Sequence, residues 1–524
     1  MRRAAWGKLE DFKMRVTLWV ALAGLSLSSA SFGSPDVNST IGYPRTMVQA
    51  ISGAQCNISS ANYTLAARYD IVMLGCNWEN QGVNIGNVVN GIHAASNGTM
   101  VSPVHLVGRY SILEVPSGAN LSASANEDRQ VQTAGWYLCP LGTSCNNATA
   151  VNDSDGHMAL VNFSTYAPSY SGQTPYQWFA SYVWNTYGLG KGGPVNGANA
   201  NNAAPNVDFF YFDNTLPTAK FSGDWLRNGT LPGTLANTPL ALDTAIQNAQ
   251  LQLCPALHSA SGNKLCFVNQ ALGWTDSLGV NYASGVGAFD GAMQQFIWGT
   301  GLSNAVETWG GFTYAMNEYK SQVAGGAPYV MVTGPVANST AADYQYFRYA
   351  FGMCTMDIGY CTFGLTSYYP SADSIDGSNT TTWPWFDEEQ GGTLKNVKWL
   401  GLPANPNNVS NSCGVPVSNT WTNGNTCAWK NGVYRRDFQN GIILVLPRQT
   451  TGGAAVTVTT EVSYCHLQNS NDTVDASVNN GSCGTSFTLN PSAITSTGDA
   501  LFLSRTPVNS IKPNPPSNIS ASPH

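Results

Sequence analysis

Val207-Asp208-Phe209-Phe210-Tyr211-Phe212-Asp213-Asn214 (VDFFYFDN) is the stretch on which the fold reading turns. It is an apolar, β-rich run ended by a carboxylate. Comparable runs stand on either side of it. Tyr69–Leu74 (YDIVML), Val104–Tyr110 (VHLVGRY) and the weaker His157–Phe163 (HMALVNF) precede it. Leu265–Asn269 (LCFVN), Gly287–Met293 (GAFDGAM), Pro328–Thr333 (PYVMVT) and part of Gly352–Phe363 follow it. Helical patterns lie between several of these strands. Tyr176, Phe179, Ala180, Val183 and Tyr187 fall on one helical face, and Leu240–Leu253 and Ala341–Phe351 read as further helices. Strands alternating with helices predict an α/β fold with a parallel sheet, and about eight repeats of the unit predict a (β/α)8 TIM-type barrel over residues 34–400.

Near residue 400 the pattern changes. Pro403, Pro406 and Pro416 sit in a loop-rich stretch, 401–431, that Cys413 and Cys427 would close. Gly441–Pro447 (GIILVLP), the alternating Val456, Val458 and Val462, and Ala500–Ser504 then show no helical period. They predict a small antiparallel β domain over 432–506. The Pro/Ser/Asn-rich tail 507–524 has the composition of a disordered segment.

Composition narrows the function. The chain has 524 residues, of which 43% are hydrophobic, enough to bury a large core. Only 10% are charged, against roughly 25% in a typical globular protein. The surface is therefore made largely of uncharged polar residues. A net charge of −7 argues against nucleic-acid binding, which needs a basic surface to neutralise phosphates. The 15 Trp and 23 Tyr on so neutral a chain suit an uncharged, hydroxyl-rich ligand such as a carbohydrate, although most Trp are expected in the core.

The N-terminus reads as an export signal, residues 1–33. Val16–Leu27 is an apolar run behind Arg15, followed by the small residues of Ser28-Ser29-Ala30 and Ser31-Phe32-Gly33. The run is shorter than the ~20 residues of a membrane span. Its removal takes five basic and two acidic residues and moves the net charge from −7 to −10. No membrane segment is expected in the mature form. The twelve cysteines fall into six local pairs, Cys56/Cys76, Cys139/Cys145, Cys254/Cys266, Cys354/Cys361, Cys413/Cys427 and Cys465/Cys483. None has the CxxC spacing of a zinc or thioredoxin motif, so disulfides in an oxidising compartment are the natural reading. Fifteen N-x-S/T sequons occur, among them Asn38, Asn97, Asn162, Asn228, Asn338 and Asn471, so the chain would be a glycoprotein in a eukaryotic secretory pathway.

The candidate chemistry is carried by carboxylates. In a barrel, catalytic groups sit at the C-terminal ends of the strands. Asp213 ends the fourth strand; a helix N-cap is its structural alternative. Asp290-Gly291 lies within the sixth strand and Asp357 near the eighth. Asp387-Glu388-Glu389 follows the aromatic loop Trp383-Pro384-Trp385-Phe386. Glycoside hydrolysis needs two carboxyl groups, one protonated and one ionised. The six His include no HxxxH or HxH pair, GxSxG and Walker A motifs are absent, and no GxGxxG follows a strand. The glycines around Lys191 lack the Ser/Thr of a P-loop.

Several segments together resemble a group of bacterial glycoside hydrolases with a (β/α)8 barrel, distantly similar to the α-galactosidase-like enzymes. Val207–Asn214 resembles their "DGvFlDN" strand, Asp290-Gly291 their "DG…E" strand, and Arg348–Tyr360 (RYAFGMCTMDIGY) their "Ryglaa.LLdDGyf" segment. Phe386-Asp387-Glu388 with Leu400–Pro403 resembles "w.DEy…LG.P", and Gly432–Pro447 resembles "gvyrReFenGlvlvNp". The matches extend from about Tyr69 to Pro447. The resemblance implies a nucleophile-like carboxylate at Asp213 and an acid/base on the sixth strand. There the sequence departs: Gln295 stands where Glu is expected, and glutamine cannot protonate a leaving oxygen. Asp290 or another acid such as Glu307 would take that role, or the barrel is no longer a hydrolase.

The expectation is a secreted or periplasmic glycoside hydrolase acting without a cofactor or metal. Asp213, Asp290 and Asp357 are its catalytic candidates. Asp387, Glu388, Trp309, Trp383 and Trp385 are its sugar-binding candidates. The alternative is a degenerate barrel that binds carbohydrate or serves as an extracellular structural protein.

Overall fold

The computed structural model describes residues 41–50, 63–74, 85–95, 99–103, 114–116, 125–139, 144–150, 158–191, 203–212, 245, 248–269, 289–294, 329–336, 341–356, 359–365, 386–394, 398–404, 429–448, 453–470, 477–491 and 498–505. Two parallel sheets form the first architectural unit. One has β1 (Met47–Ala50), β2 (Ile71–Leu74) and β3 (Met100–Pro103) in the order β1-β2-β3. The second has β6 (Phe209–Phe212), β7 (Leu265–Asn269), β8 (Gly291–Gln294), β9 (Tyr329–Val336) and β10 (Tyr360–Leu365), in sequence order across the sheet. Thr46 and Cys361 form a parallel bridge that links the β1 and β10 edges. At the other side β3 lies beside β6, and no ladder joins them among the described residues.

The side chains show why these strands associate. Met47, Ile71, Met73, Met100, Phe209, Tyr211, Phe267, Met293, Tyr329 and Tyr360 form one buried cluster, to which all eight parallel strands contribute. Alternate residues, including Val48, Val72, Phe210, Phe212, Val268 and Ala292, face a second cluster shared with the helices. Strands buried on both faces carry apolar runs rather than polar alternation. The covering helices include α2 (Ile85–Ala95), α4 (Pro175–Val183), α5 (Leu253–Ser261) and α6 (Ala341–Thr355). Helix α4 begins at a capping box between Thr174 and Gln177 with Pro175 in its first turn, and ends in a π-helical turn, Trp184–Gly188. The short α1 (Tyr63–Ala66) packs on α2, and α3 (Ala125–Ala134) precedes the Trp136–Leu138 segment.

Two sequence expectations are corrected. Strand β1 was not foreseen. The His157–Phe163 strand is real but is not part of the parallel set. Its β5 (Met158–Leu160) pairs antiparallel with β4 (Glu114–Pro116). An apolar run identifies a buried strand but not the direction of its partner. Residues 104–110 lie outside the described residues; β3 occupies the four positions before them.

The C-terminal unit is a five-stranded antiparallel sheet in the order β11-β12-β15-β13-β14. It comprises β11 (Tyr434–Asp437), β12 (Gly441–Leu446), β13 (Val456–His466), β14 (Cys483–Leu489) and β15 (Asp499–Ser504). All six residues of β12 are buried. Ile443 and Val445 join the cluster that includes α6, whereas Ile442, Leu444 and Leu446 join the sheet's own core with Val458, Phe487 and Leu501. The contact with α6 is close: a Cβ on Gly352 would stand 2.7 Å from Cβ of Ala500. A short helix, α7 (Asp387–Gln390), and the segment to Ala404 link the two units.

Disulfides join Cys139–Cys145, Cys254–Cys266, Cys354–Cys361 and Cys465–Cys483, four of the six expected local pairs. Cys56/Cys76 and Cys413/Cys427 lie outside the described residues. Asn162, one of the sequon asparagines, is buried, and its Oδ1 accepts hydrogen bonds from Ser164 N and Oγ. That side chain serves a turn rather than offering an acceptor amide to solvent. Among the described residues no helix is long and apolar enough to cross a membrane.

Candidate active site

Parallel strands give the strand assembly two chemically distinct ends. The connections that leave the C-terminal ends contain Asp213 after β6, Gln295, Glu307 and Trp309 after β8, and Trp383 and Trp385 after β10. All six lie outside the described residues. So does Asp357, but it belongs to the connection between α6 and β10, which enters β10 at its N-terminal end.

Between the two ends the interior is filled. The rings of Phe209 and Phe267 stack with centroids 4.2 Å apart, Phe267 and Tyr329 follow at 5.2 Å, and Tyr329 and Tyr360 at 5.9 Å. Gly291 makes room for this row, because a Cβ there would lie 2.6 Å from the Phe267 ring. Farther along β6, the Tyr211 hydroxyl donates to Met293 Sδ at 3.4 Å. On β6 the odd-numbered residues Phe209 and Tyr211 face this interior, and the even-numbered Phe210 and Phe212 face the helices.

The structure corrects the expectation for Asp290. The residue precedes β8, so it stands at the N-terminal end of the strands. Its Oδ2 accepts from the backbone N–H of Cys266 at 2.7 Å and lies 2.7 Å from His258 Nε2. The hydrogen bond with Asp290 raises the His258 pKa above its ordinary value, against the opposing effect of burial. Cys266 is also bonded to Cys254 of α5. Asp290 thus ties α5 to the starts of β7 and β8, while Gly291 admits Phe267. The Asp-Gly pair is accounted for by packing.

Two further aspartates do the same work at that end, and sequence reasoning missed both. Asp208, one residue before β6, pairs with His93 of α2 at 2.8 Å. Asp70, one residue before β2, pairs with Lys398 at 2.5 Å and also accepts from Thr46 N. Burial lowers the Lys398 pKa, and the Asp70 charge opposes that. The available signal was order: these acids precede apolar strands, whereas Asp213 follows one.

Asp387 and Glu388, expected to bind sugar, lie on a short helix between the two units. Both are buried, at 0% and 4% exposure, with Glu389 at 4%. Asp387 Oδ1 accepts from Ser470 N and Oγ at 3.1 and 2.5 Å, and Asn479 Nδ2 donates to Asp387 Oδ2 and Glu388 Oε1 at 3.3 and 3.0 Å. Glu389 Oε2 accepts from Phe386 N at 2.8 Å, closing the first turn of α7. Burial, reinforced by Asp387 and opposed by Arg348, raises the Glu388 pKa to about 7. Burial raises that of Glu389 to about 8. The bonds from Asp387 and Glu388 to Ser470 and Asn479 join the segment to the C-terminal sheet. Among the described residues no group of three or more His, Cys, Asp or Glu is arranged to hold a metal.

No family model matches the sequence, and no curated protein matches it. Among solved structures, an α-amylase from Lactobacillus plantarum is similar at 10% identity over 87% of this chain and 98% of its own, with a TM-score of 0.45. Amy13B of Eubacterium rectale is similar at 9% identity over 91% and 98%, with a TM-score of 0.43. The cyclic α-maltosyl-(1→6)-maltose hydrolase of Arthrobacter globiformis is similar at 8% identity over 89% and 100%, with a TM-score of 0.40. Similarity at this level assigns neither a family nor an activity to the chain.

Proposed function

We propose that the chain is an exported glycoside hydrolase. In this reading residues 1–33 direct export, residues 34–400 form a (β/α)8 barrel, and residues 432–506 form an appended β domain. A carbohydrate is the substrate, and no cofactor takes part. One observation carries the reading. Eight parallel strands contribute to a single interior. Asp213 directly follows β6 in the sequence, at the end of the strands where barrels bind substrate. The sequence resemblance independently picks out the same residue as the nucleophile-like carboxylate.

An ionised Asp213 would stabilise or trap the oxocarbenium-like transition state, and a second carboxyl group would protonate the leaving oxygen. Asp290 and Asp357 are poor candidates for that second role, because they belong to the opposite end of the strands. Glu307 is the better one, since the connection containing it leaves β8 at its C-terminal end. Trp309, Trp383 and Trp385 share such connections and would offer apolar faces to sugar rings. The test is a polysaccharide-release screen followed by kinetics of Asp213→Asn and Glu307→Gln. Loss of turnover in both, with folding intact, supports the reading.

A second reading is favoured by Gln295, which stands where the resemblance calls for an acid. A barrel without that acid would bind carbohydrate and release nothing. Glycan binding by the wild type, unchanged in both variants and without product, would select it.

A further inference from the structure

Helix α7 lies between the two units and is buried along its whole length: Asp387, Glu388, Glu389 and Gln390 are 0–4% exposed. From the side of α6, Phe347 stacks on Phe386 with ring centroids 3.7 Å apart. From the C-terminal sheet, Ser470 and Asn479 reach Asp387 and Glu388, and Gln390 Nε2 donates to Ser470 Oγ at 3.1 Å. Thr393 N donates to Gln468 O at 2.9 Å, and a Cβ on Gly392 would stand 2.0 Å from that same oxygen. The segment is a wedge with protein on both sides.

The charges around the wedge are unevenly distributed. On α6, Arg348 faces Glu388 and also pairs with Asp499 of β15 at 3.3 Å. On β13, His466 is near Arg348; burial first, and then that guanidinium, hold it below its ordinary pKa. Asp387 and Glu389 are the charged neighbours of Glu388 on its own element. Glu389 is bonded to a backbone N–H, and its nearest charged influence is Glu388, another acid. A buried carboxylate without a facing cation is costly, and the usual resolution is to take up a proton.

We propose that the α7 wedge is an acid-closed clamp: protons on Glu388 and Glu389 hold the C-terminal sheet against α6, and losing them loosens the joint. The sign follows from linkage. Both groups titrate higher in the folded protein, near 7 and 8, than the ordinary 4.5 that applies once unfolded. Their stabilising effect is complete below about 4.5 and is lost as pH rises through 7 to 8. This does not depend on the glycosidase reading, because that reading assigns no role to Glu388 or Glu389.

The experiment compares the melting temperature of the full chain and of Glu388→Gln/Glu389→Gln across pH 5 to 9. Glutamine keeps the shape and an acceptor oxygen but carries no charge. The wild type is expected to lose on the order of 5 °C or more between pH 5 and 8.5. The variant should lose most of that slope and be the more stable protein at pH 8.5. Equal slopes in the two proteins would overturn the proposal. Infrared titration of the wild type gives a check that needs no variant. A protonated-carboxyl band should persist at pH 6 and vanish by pH 9, and its absence at pH 6 would overturn the clamp.

Discussion

The N-terminal end of the parallel strands and the α7 wedge both hold acidic residues, but they treat them in opposite ways. At the strand ends Asp70, Asp208 and Asp290 each meet a basic partner, Lys398, His93 and His258. The disulfides Cys254–Cys266 and Cys354–Cys361 fasten helices to strands at the same end. In the wedge, Glu388 and Glu389 are enclosed with fewer cations, and burial dominates their titration. The first arrangement sets each acid against a base, and the second sets acids beside one another. Acid content alone therefore says little about catalysis. The end of a strand at which an acid sits, and what faces it, decide its role.

Breaking the paired set should give the largest effect. Lys398→Met leaves the Asp70 carboxylate, 8% exposed, without its cation. Removing one member of a buried pair costs about 3–5 kcal/mol. Urea denaturation should report a loss of that order; a loss below about 1 kcal/mol would show that the pair is not effectively buried.

A smaller loss is expected for Asp290→Asn. Asparagine can still accept from Cys266 N, so the main loss is the pairing with His258, which is partly exposed and worth about 1 kcal/mol. The sign distinguishes this region from the wedge. The folded-state pKa of His258 is raised, so its contribution is complete below about 6.5 and is lost as pH rises through the higher folded value. The gap between wild type and variant should narrow above neutral pH. A gap that widens would contradict the pairing.

The smallest effect belongs to the surface of the β domain. Glu461 is 55% exposed and accepts from Arg435 Nη1 at 2.6 Å, which lowers its pKa. Its contribution is present above the ordinary 4.5 and falls away as pH drops. Solvent screening limits Glu461→Gln to about 0.5 kcal/mol by equilibrium unfolding. A cost as large as that of Lys398→Met would erase the distinction between exposed and buried pairs.

Much of the architecture was legible in the chain. Leu265–Asn269 and the aromatic Phe209–Phe212 read as strands because burial on both faces leaves no polar positions. Gly441–Leu446 read as part of an antiparallel domain, although its continuous apolarity comes from packing on α6 on one side and on the sheet's own core on the other. Met47–Ala50 was missed because MVQA is short and holds a glutamine. The carboxylates were harder still. Asp290 and Asp213 both border apolar strands, and only knowing where β8 begins separates a residue entering a strand from one leaving it. Asp387 and Glu388 follow Trp383-Pro384-Trp385, a pattern that suggests a sugar platform. Their burial depends on Ser470 and Asn479, more than 80 positions along the chain, which no local pattern reveals.

The two ends of the strands can be set against each other in one assay, with Asp213→Asn and Asp290→Asn compared on a released glycan. Asp213→Asn is expected to lose about 10²–10³ in turnover, the usual worth of one transition-state electrostatic contact, with its melting temperature unchanged. Asp290→Asn should keep its turnover and melt earlier. Full turnover by Asp213→Asn, or loss of turnover without loss of stability in Asp290→Asn, would contradict the assignment of the two ends.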